Sequence, residues 1–141
     1  MNTLNFLDAN IWVALVWDRH MHASKAREWI ESSSDQQFFF CRFTQLTTLR
    51  LLTTEPVMGR DVQSMTGAWE IWDRLISDTR ISFLAEPDGF DDEFQAYASL
   101  RSASPKVWAD AYLLAFAALT KTRLVSFDRA LTGRKVDVLI L

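Results

Sequence analysis

Short apolar runs recur along the chain, separated by stretches whose apolar residues follow helical spacing. Residues 4–7, 38–41 (FFFC), 80–84, 123–127 (RLVSF) and 136–140 have the length and composition of buried strands. Helical patterns lie near 10–17, 22–33, 44–53, 61–77 and 90–101. In the fourth of these, Val62, Met65, Trp69, Trp72 and Ile76 mark one face. The helix near 90–101 follows a Pro87-Asp88-Gly89 turn, and Asp88, Asp91, Asp92 and Glu93 suit the positive end of its dipole. A last helix, SPKVWADAYLLAFAALT, is expected to start with Ser104 as cap and Pro105 at its first position. Strands alternating with helices predict an α/β fold, a central parallel sheet of about five strands covered on both faces. No repeat, low-complexity tract or long linker divides the chain, so residues 1–141 are expected to form one domain.

In parallel sheets of this kind, sites form at the carboxyl ends of the strands, and two runs end there in an acid. LNFLD delivers Asp8 and LVSFD delivers Asp128. Each taken singly reads more simply as a cap or turn residue, since Asp is among the best helix caps. Asp110 is the only charged residue between Val107 and Thr120, in a helix apolar on nearly every face. With the helix starting at Ser104 and Pro105, it falls in the second turn, beyond ordinary capping positions. A buried, unpaired carboxylate costs several kcal/mol or takes up a proton. Asp110 therefore needs a buried Arg or Lys, a later helix start that it caps, or a bound cation.

If the three aspartates converge at one sheet edge, they repel one another unless protonated or neutralised by a cation. Ligands made only of oxygen favour Mg²⁺, with Mn²⁺ as the alternative. A hydrated divalent ion so held can activate water, which points to hydrolysis of a phosphodiester.

Composition narrows the setting. The chain is 49% hydrophobic and 23% charged, ordinary values for a globular protein. No stretch approaches the roughly 18 to 20 apolar residues of a membrane span, and the start lacks the marks of a secretory signal. Cys41 is the single cysteine, which excludes an intrachain disulfide and suggests a reducing cytoplasm. With a net charge of −3, attraction of a nucleic acid falls to local positive patches.

The pieces FLDANIWVAL, HASKAREWI, CRFTQLTTLRLLT, KVWADAYLLAFA and LVSFDRAL, in this order, resemble the PIN-domain family and within it the VapC-type toxins. The resemblance covers essentially the whole chain. It implies a three-layer fold, a Mg²⁺-dependent ribonuclease acting on RNA, a small antitoxin bound across the active site, and a homodimer. It assigns Asp8, Asp110 and Asp128 as metal-holding catalytic carboxylates. Ser126 matches a hydroxyl residue two positions before the last acid, where it could contact a ligand, water or phosphate or simply bond locally. Asn10 stands where relatives carry a small polar residue, with helix capping the favoured alternative. The departure is Gln45, where many PIN domains carry Glu. An amide keeps an acceptor but loses a charge, so Gln45 is expected near the cluster as a weak contact to metal or substrate.

Other signals are plainer. His20 and His22 suit a helix start better than a metal pair. The six tryptophans fit core packing or subunit contact better than base stacking, and Arg129, Arg134 and Lys135 fit a solvated surface. Two other functions compete with the nuclease. One is a non-catalytic PIN scaffold, weakened at the metal site by Gln45, that binds RNA or a protein. The other is an aspartyl phosphotransferase, for which DAN lacks the second acid of a D-x-D motif.

Overall fold

A computed structural model describes residues 3–141. Five parallel strands, β1 (Leu4–Leu7), β2 (Gln37–Phe40), β3 (Ile81–Phe83), β4 (Arg123–Ser126) and β5 (Val138–Ile140), form one sheet in the order β3-β2-β1-β4-β5. The β1–β4 pairing sets Leu7 against Val125, and the β1–β2 pairing sets Phe6 against Phe39. β1 is thus central, flanked by strands reached through opposite crossovers, and Asp8 leaves the carboxyl end of that strand.

The helices are α1 (Ala9–Val16), α2 (Ala23–Glu31), α3 (Arg42–Leu52), α4 (Glu55–Met58), α5 (Met65–Leu75), α6 (Phe90–Ala98) and α7 (Val107–Thr120). Successive strand side chains point to opposite faces, and the buried residues divide accordingly. Phe6 and Leu124 pack with Leu113, Phe116 and Leu131 on the α6–α7 side. Leu7, Phe38, Phe40 and Val125 pack with Ile11, Trp12, Ile30 and Trp72 on the other. Phe6 stacks on Phe116 with ring centroids 4.5 Å apart. The two layers cover both faces of the sheet whose edge carries the acids.

The amino edge of the sheet is held by polar groups. Fully buried Asn5 accepts from Arg123 Nε at 3.0 Å and Nη2 at 2.9 Å, and donates to Gln36 Oε1 at 2.9 Å and to the Gln37 carbonyl at 3.1 Å. Every polar atom of the amide is engaged, as a buried amide requires.

Several boundaries differ from the sequence expectation. The helix expected over 61–77 runs from Met65 to Leu75, because Ser64 Oγ accepts from the Gly67 N–H at 3.0 Å and fixes the start there. Ahead of it lie α4 and a single 3-10 turn, Gly59–Asp61, neither of which was expected. The last helix begins at Val107. Ser104 is not its cap: its backbone carbonyl accepts from the Val107 N–H in a turn, and Lys106 precedes the helix without a side-chain cap. Asp110 consequently lies in the first turn of α7, not the second. Among the described residues no helix is long and apolar enough to cross a membrane.

Candidate active site

Asp8 is the N-cap of α1 and is also bonded from the end of β4. Its backbone is extended (φ −62°, ψ 153°), and its N–H donates to the Val125 carbonyl at 2.9 Å, completing the β1–β4 ladder. One side-chain oxygen, Oδ1, accepts from the Ala9 N–H at 2.7 Å at the start of α1. The other, Oδ2, accepts from the hydroxyl of Ser126 at 2.7 Å. The β1–β4 register makes that bond possible, since Leu7 and Val125 are partners and the next residues on each strand stand side by side.

Ser126 is fully buried and joins three elements. Having given its single proton to Asp8, its oxygen accepts from Asn10 Nδ2 at 3.2 Å and from the Asp128 N–H at 3.0 Å. Asn10 Oδ1 in turn accepts a long bond, 3.5 Å, from the Phe127 N–H. The capping expectation for Asn10 is therefore corrected: Asp8 is the N-cap of α1, and Asn10, inside the helix, braces α1 against the segment after β4. Of the two readings of Ser126, the bonds present are those of the local one, to Asp8, Asn10 and the Asp128 N–H.

Asp128 Oδ1 accepts from the Ala130 N–H at 2.9 Å and caps a 3-10 turn, Arg129–Leu131, while the residue itself is exposed. Asp110 is half-buried and makes no ion pair among the described residues. A buried Arg or Lys partner and a helix start capped by Asp110 are both set aside.

Electrostatics ties the acids together. Burial pushes the Asp8 carboxyl above its usual range; the bonds from Ser126 and Ala9 oppose this, and the charges of Asp110 and Asp128 add to it. Burial also raises Asp110, with Asp128 reinforcing and Arg134 opposing. Arg134, read from the sequence as surface, is exposed but near enough to act on Asp110.

The donors suit a hard divalent cation in chemistry: they are oxygens, and burial with two like charges disfavours the charged form of Asp8, a penalty that a cation would offset. They do not form a closed cage. Among the described residues, no group of three His, Cys, Asp or Glu side chains is spaced to hold a metal ion. An ion resting on one or two carboxylates and retaining several waters, as Mg²⁺ usually does, needs no such cage.

Gln45 is buried on α3, and its amide oxygen accepts from Arg42 Nη1. The oxygen expected to face the acids is thus engaged by an arginine. Sequence reasoning quoted Arg42 within a motif without singling it out; a cation three residues before a buried amide on one helix face was the available signal. His20 and His22 do serve a helix start. His20 Nδ1 accepts from the His22 N–H at 3.0 Å, and the His22 ring packs 4.6 Å from that of Phe127. Trp12 and Trp72 are core residues, whereas Trp69 and Trp108 are exposed.

Comparison with known proteins identifies the family and the fold. The PIN domain family model matches residues 6–136. Ribonuclease VapC41 of Mycobacterium tuberculosis is 40% identical over 130 residues, 89% of each chain. The crystal structure of Mycobacterium tuberculosis VapC20, described as a sarcin–ricin-loop-cleaving toxin, superposes with a TM-score of 0.67 at 14% identity, covering 94% of this chain and 95% of that one. A chain of VapBC2 from Rickettsia felis, solved with a promoter DNA fragment, gives 0.66 at 8% identity over 99% of each. Such distant structural likenesses establish the fold alone, but the family match and the 40% relative establish descent. The chain belongs to the PIN-domain family, and within it to the VapC type.

Proposed function

We propose that this chain is the toxin of a toxin–antitoxin pair, an endoribonuclease that hydrolyses RNA phosphodiester bonds with a divalent metal, Mg²⁺ or alternatively Mn²⁺. The observation that carries this reading is the shared field of Asp8, Asp110 and Asp128 at the carboxyl edge of the sheet. Its supports are the family and the relatives named as ribonucleases.

Asp8, Asp110 and Asp128 would hold the ion, which when bound supplies an activated water and a counter-charge for the phosphate oxygens. The chain's own work is positioning. Ser126 fixes one Asp8 oxygen by donating to it, and Ala9 fixes the other. Asn10 keeps Ser126 in place, so the hydroxyl that orients Asp8 is itself oriented. Arg134 lies beside Asp110 and offers positive charge to an approaching phosphate.

The partner would be a small antitoxin, as the toxin–antitoxin complex among the structural neighbours suggests. An arginine of that partner, placed among the carboxylates, would replace the cation's charge with its planar fork. A homodimer is supported by the face between α3 and α5, where Leu46, Met65 and Trp69 are 54%, 72% and 48% exposed around a groove of about 200 Å³. The single buried Cys41 fits a cytoplasmic setting.

One observation favours the non-catalytic scaffold: Gln45, where the resemblance to many PIN domains implies a Glu, has its oxygen taken by Arg42. One experiment separates the two readings. RNA is incubated with the native chain and with Asp8→Asn, each with and without Mg²⁺. The nuclease cleaves only as the native chain with metal. A scaffold binds RNA and leaves it intact under all four conditions.

A further inference from the structure

We propose that Arg42 binds a phosphate of the RNA away from the one being cleaved, and that Gln45 holds the guanidinium in place without neutralising it; this rests on the ribonuclease reading above.

Arg42 is the first residue of α3, directly beyond the carboxyl end of β2. Continuing the β1–β2 register from Phe6 and Phe39 sets Cys41 level with Asp8. Arg42 therefore leaves the same sheet edge as the acids, one strand over. Its guanidinium does not turn back toward them. It lies 5.0 Å above the ring centroid of Phe83 on β3, a strand that pairs with the far side of β2. The charges acting on Asp8 are those of Asp110 and Asp128, and Arg42 is not among them. A cation at this place stands along the sheet edge from the acids, two strands from β1 and so roughly 10 Å to the side. A polyanion with one phosphate at Asp8 presents further phosphates of its backbone along such a line.

The manner in which the guanidinium is held supports the same role. Arg42 is exposed and makes no ion pair among the described residues. Its side-chain bond among the described residues runs from Nη1 to Gln45 Oε1, and the ring of Phe83 supports the guanidinium from one side. Gln45 is buried, a position where an amide is costly unless bonded, so its oxygen is committed to the arginine. A glutamate there would form a charged pair with Arg42 and cancel it. The amide supplies the hydrogen bond and leaves the full positive charge, with Nε and Nη2 still able to donate to phosphate oxygens.

The test is binding of single-stranded RNA in EDTA, measured by fluorescence anisotropy across a range of salt concentrations, with cleavage measured in parallel with Mg²⁺. Arg42→Ala is expected to weaken binding on the order of tenfold and to lower the slope of log affinity against log salt by about 0.7, the value for one lost phosphate contact on a single strand. Arg42→Lys should keep the slope, and in cleavage Arg42→Ala should raise KM with kcat nearly retained. Gln45→Glu should mimic Arg42→Ala; because that side chain is buried and the variant could misfold, the exposed Arg42 variants carry the test alone if it does. Unchanged affinity and slope in Arg42→Ala, with normal cleavage, overturns the clamp and leaves the nuclease standing, as it would if Arg42 instead paired with a carboxylate of a protein partner. Failure of the native chain to bind or cleave RNA overturns the ribonuclease reading and this proposal with it.

Discussion

Ser126 donates its hydroxyl proton to Asp8 Oδ2 at 2.7 Å, joining the carboxyl ends of β4 and β1 across 118 residues of sequence. The same side chain caps α1 through its other oxygen, and the sheet register makes the two bonds compatible.

Ser126→Ala removes the proton that aligns Asp8 and leaves Asn10 and the Asp128 N–H without their shared acceptor. The expected outcome is a loss of roughly 10–100-fold in metal affinity or cleavage, the usual cost of losing a group that orients a metal ligand. Mg²⁺ titration of the RNA cleavage rate checks it. A rate and metal dependence equal to the native chain's would mean that Asp8 needs no alignment.

The raised Asp8 carboxyl makes stability depend on pH in a stated direction. In the metal-free chain, the folded state binds this proton more tightly than the unfolded state. Stability therefore falls as pH rises from the ordinary aspartate value through the raised folded value, and the penalty is fully present above it. Asp8→Asn removes the penalty and should raise the Tm by roughly 2–5 °C at neutral pH, with the gain shrinking in acid. Thermal melts in EDTA at several pH values test this; a lower Tm for Asp8→Asn at neutral pH contradicts it.

Arg123 tests whether the two edges of the sheet are separable. Arg123→Ala leaves the buried Asn5 oxygen without its donors, which should cost about 1–3 kcal/mol. The damage lies at the amino edge, so cleavage per folded molecule should match the native chain at a temperature where both are folded. Urea unfolding and an activity assay read the two halves of this statement.

On the α3–α5 face, Trp69→Glu should break a homodimer, because it places a charge on an apolar surface that is 48% exposed in the single chain. Light scattering is expected to show a dimer for the native chain and a monomer for the variant. A native monomer would remove the dimer from the account.

The candidate acids were easier to pick out in sequence than the helix boundaries. Asp8 and Asp128 stood out because strands are short apolar runs with sharp ends, and an acid at such an end is visible without alignment. Asp110 stood out for the converse reason, as a lone charge in an apolar helix. The start of α7 was misplaced because Ser104-Pro105 carries a true helix-start signal, which the chain uses for a turn instead. α4 has four residues, too few to show a helical period. The partners of Asn10 and Gln45 were hidden for another reason. Whether an amide caps, braces or ligates depends on which neighbour the fold brings within about 3 Å, and spacing along one helix does not contain that.

The central claim is that the acids at the carboxyl edge hold a metal that cuts RNA. Its most direct measurement is the rate of RNA cleavage by EDTA-stripped protein as Mg²⁺ is restored, for the native chain and for Asp8→Asn, Asp110→Asn and Asp128→Asn. The account predicts a rate that saturates with Mg²⁺ in the native chain and falls by at least on the order of 100-fold in each variant, with all four proteins folded. Cleavage that persists in EDTA, or that survives loss of Asp8, would contradict it.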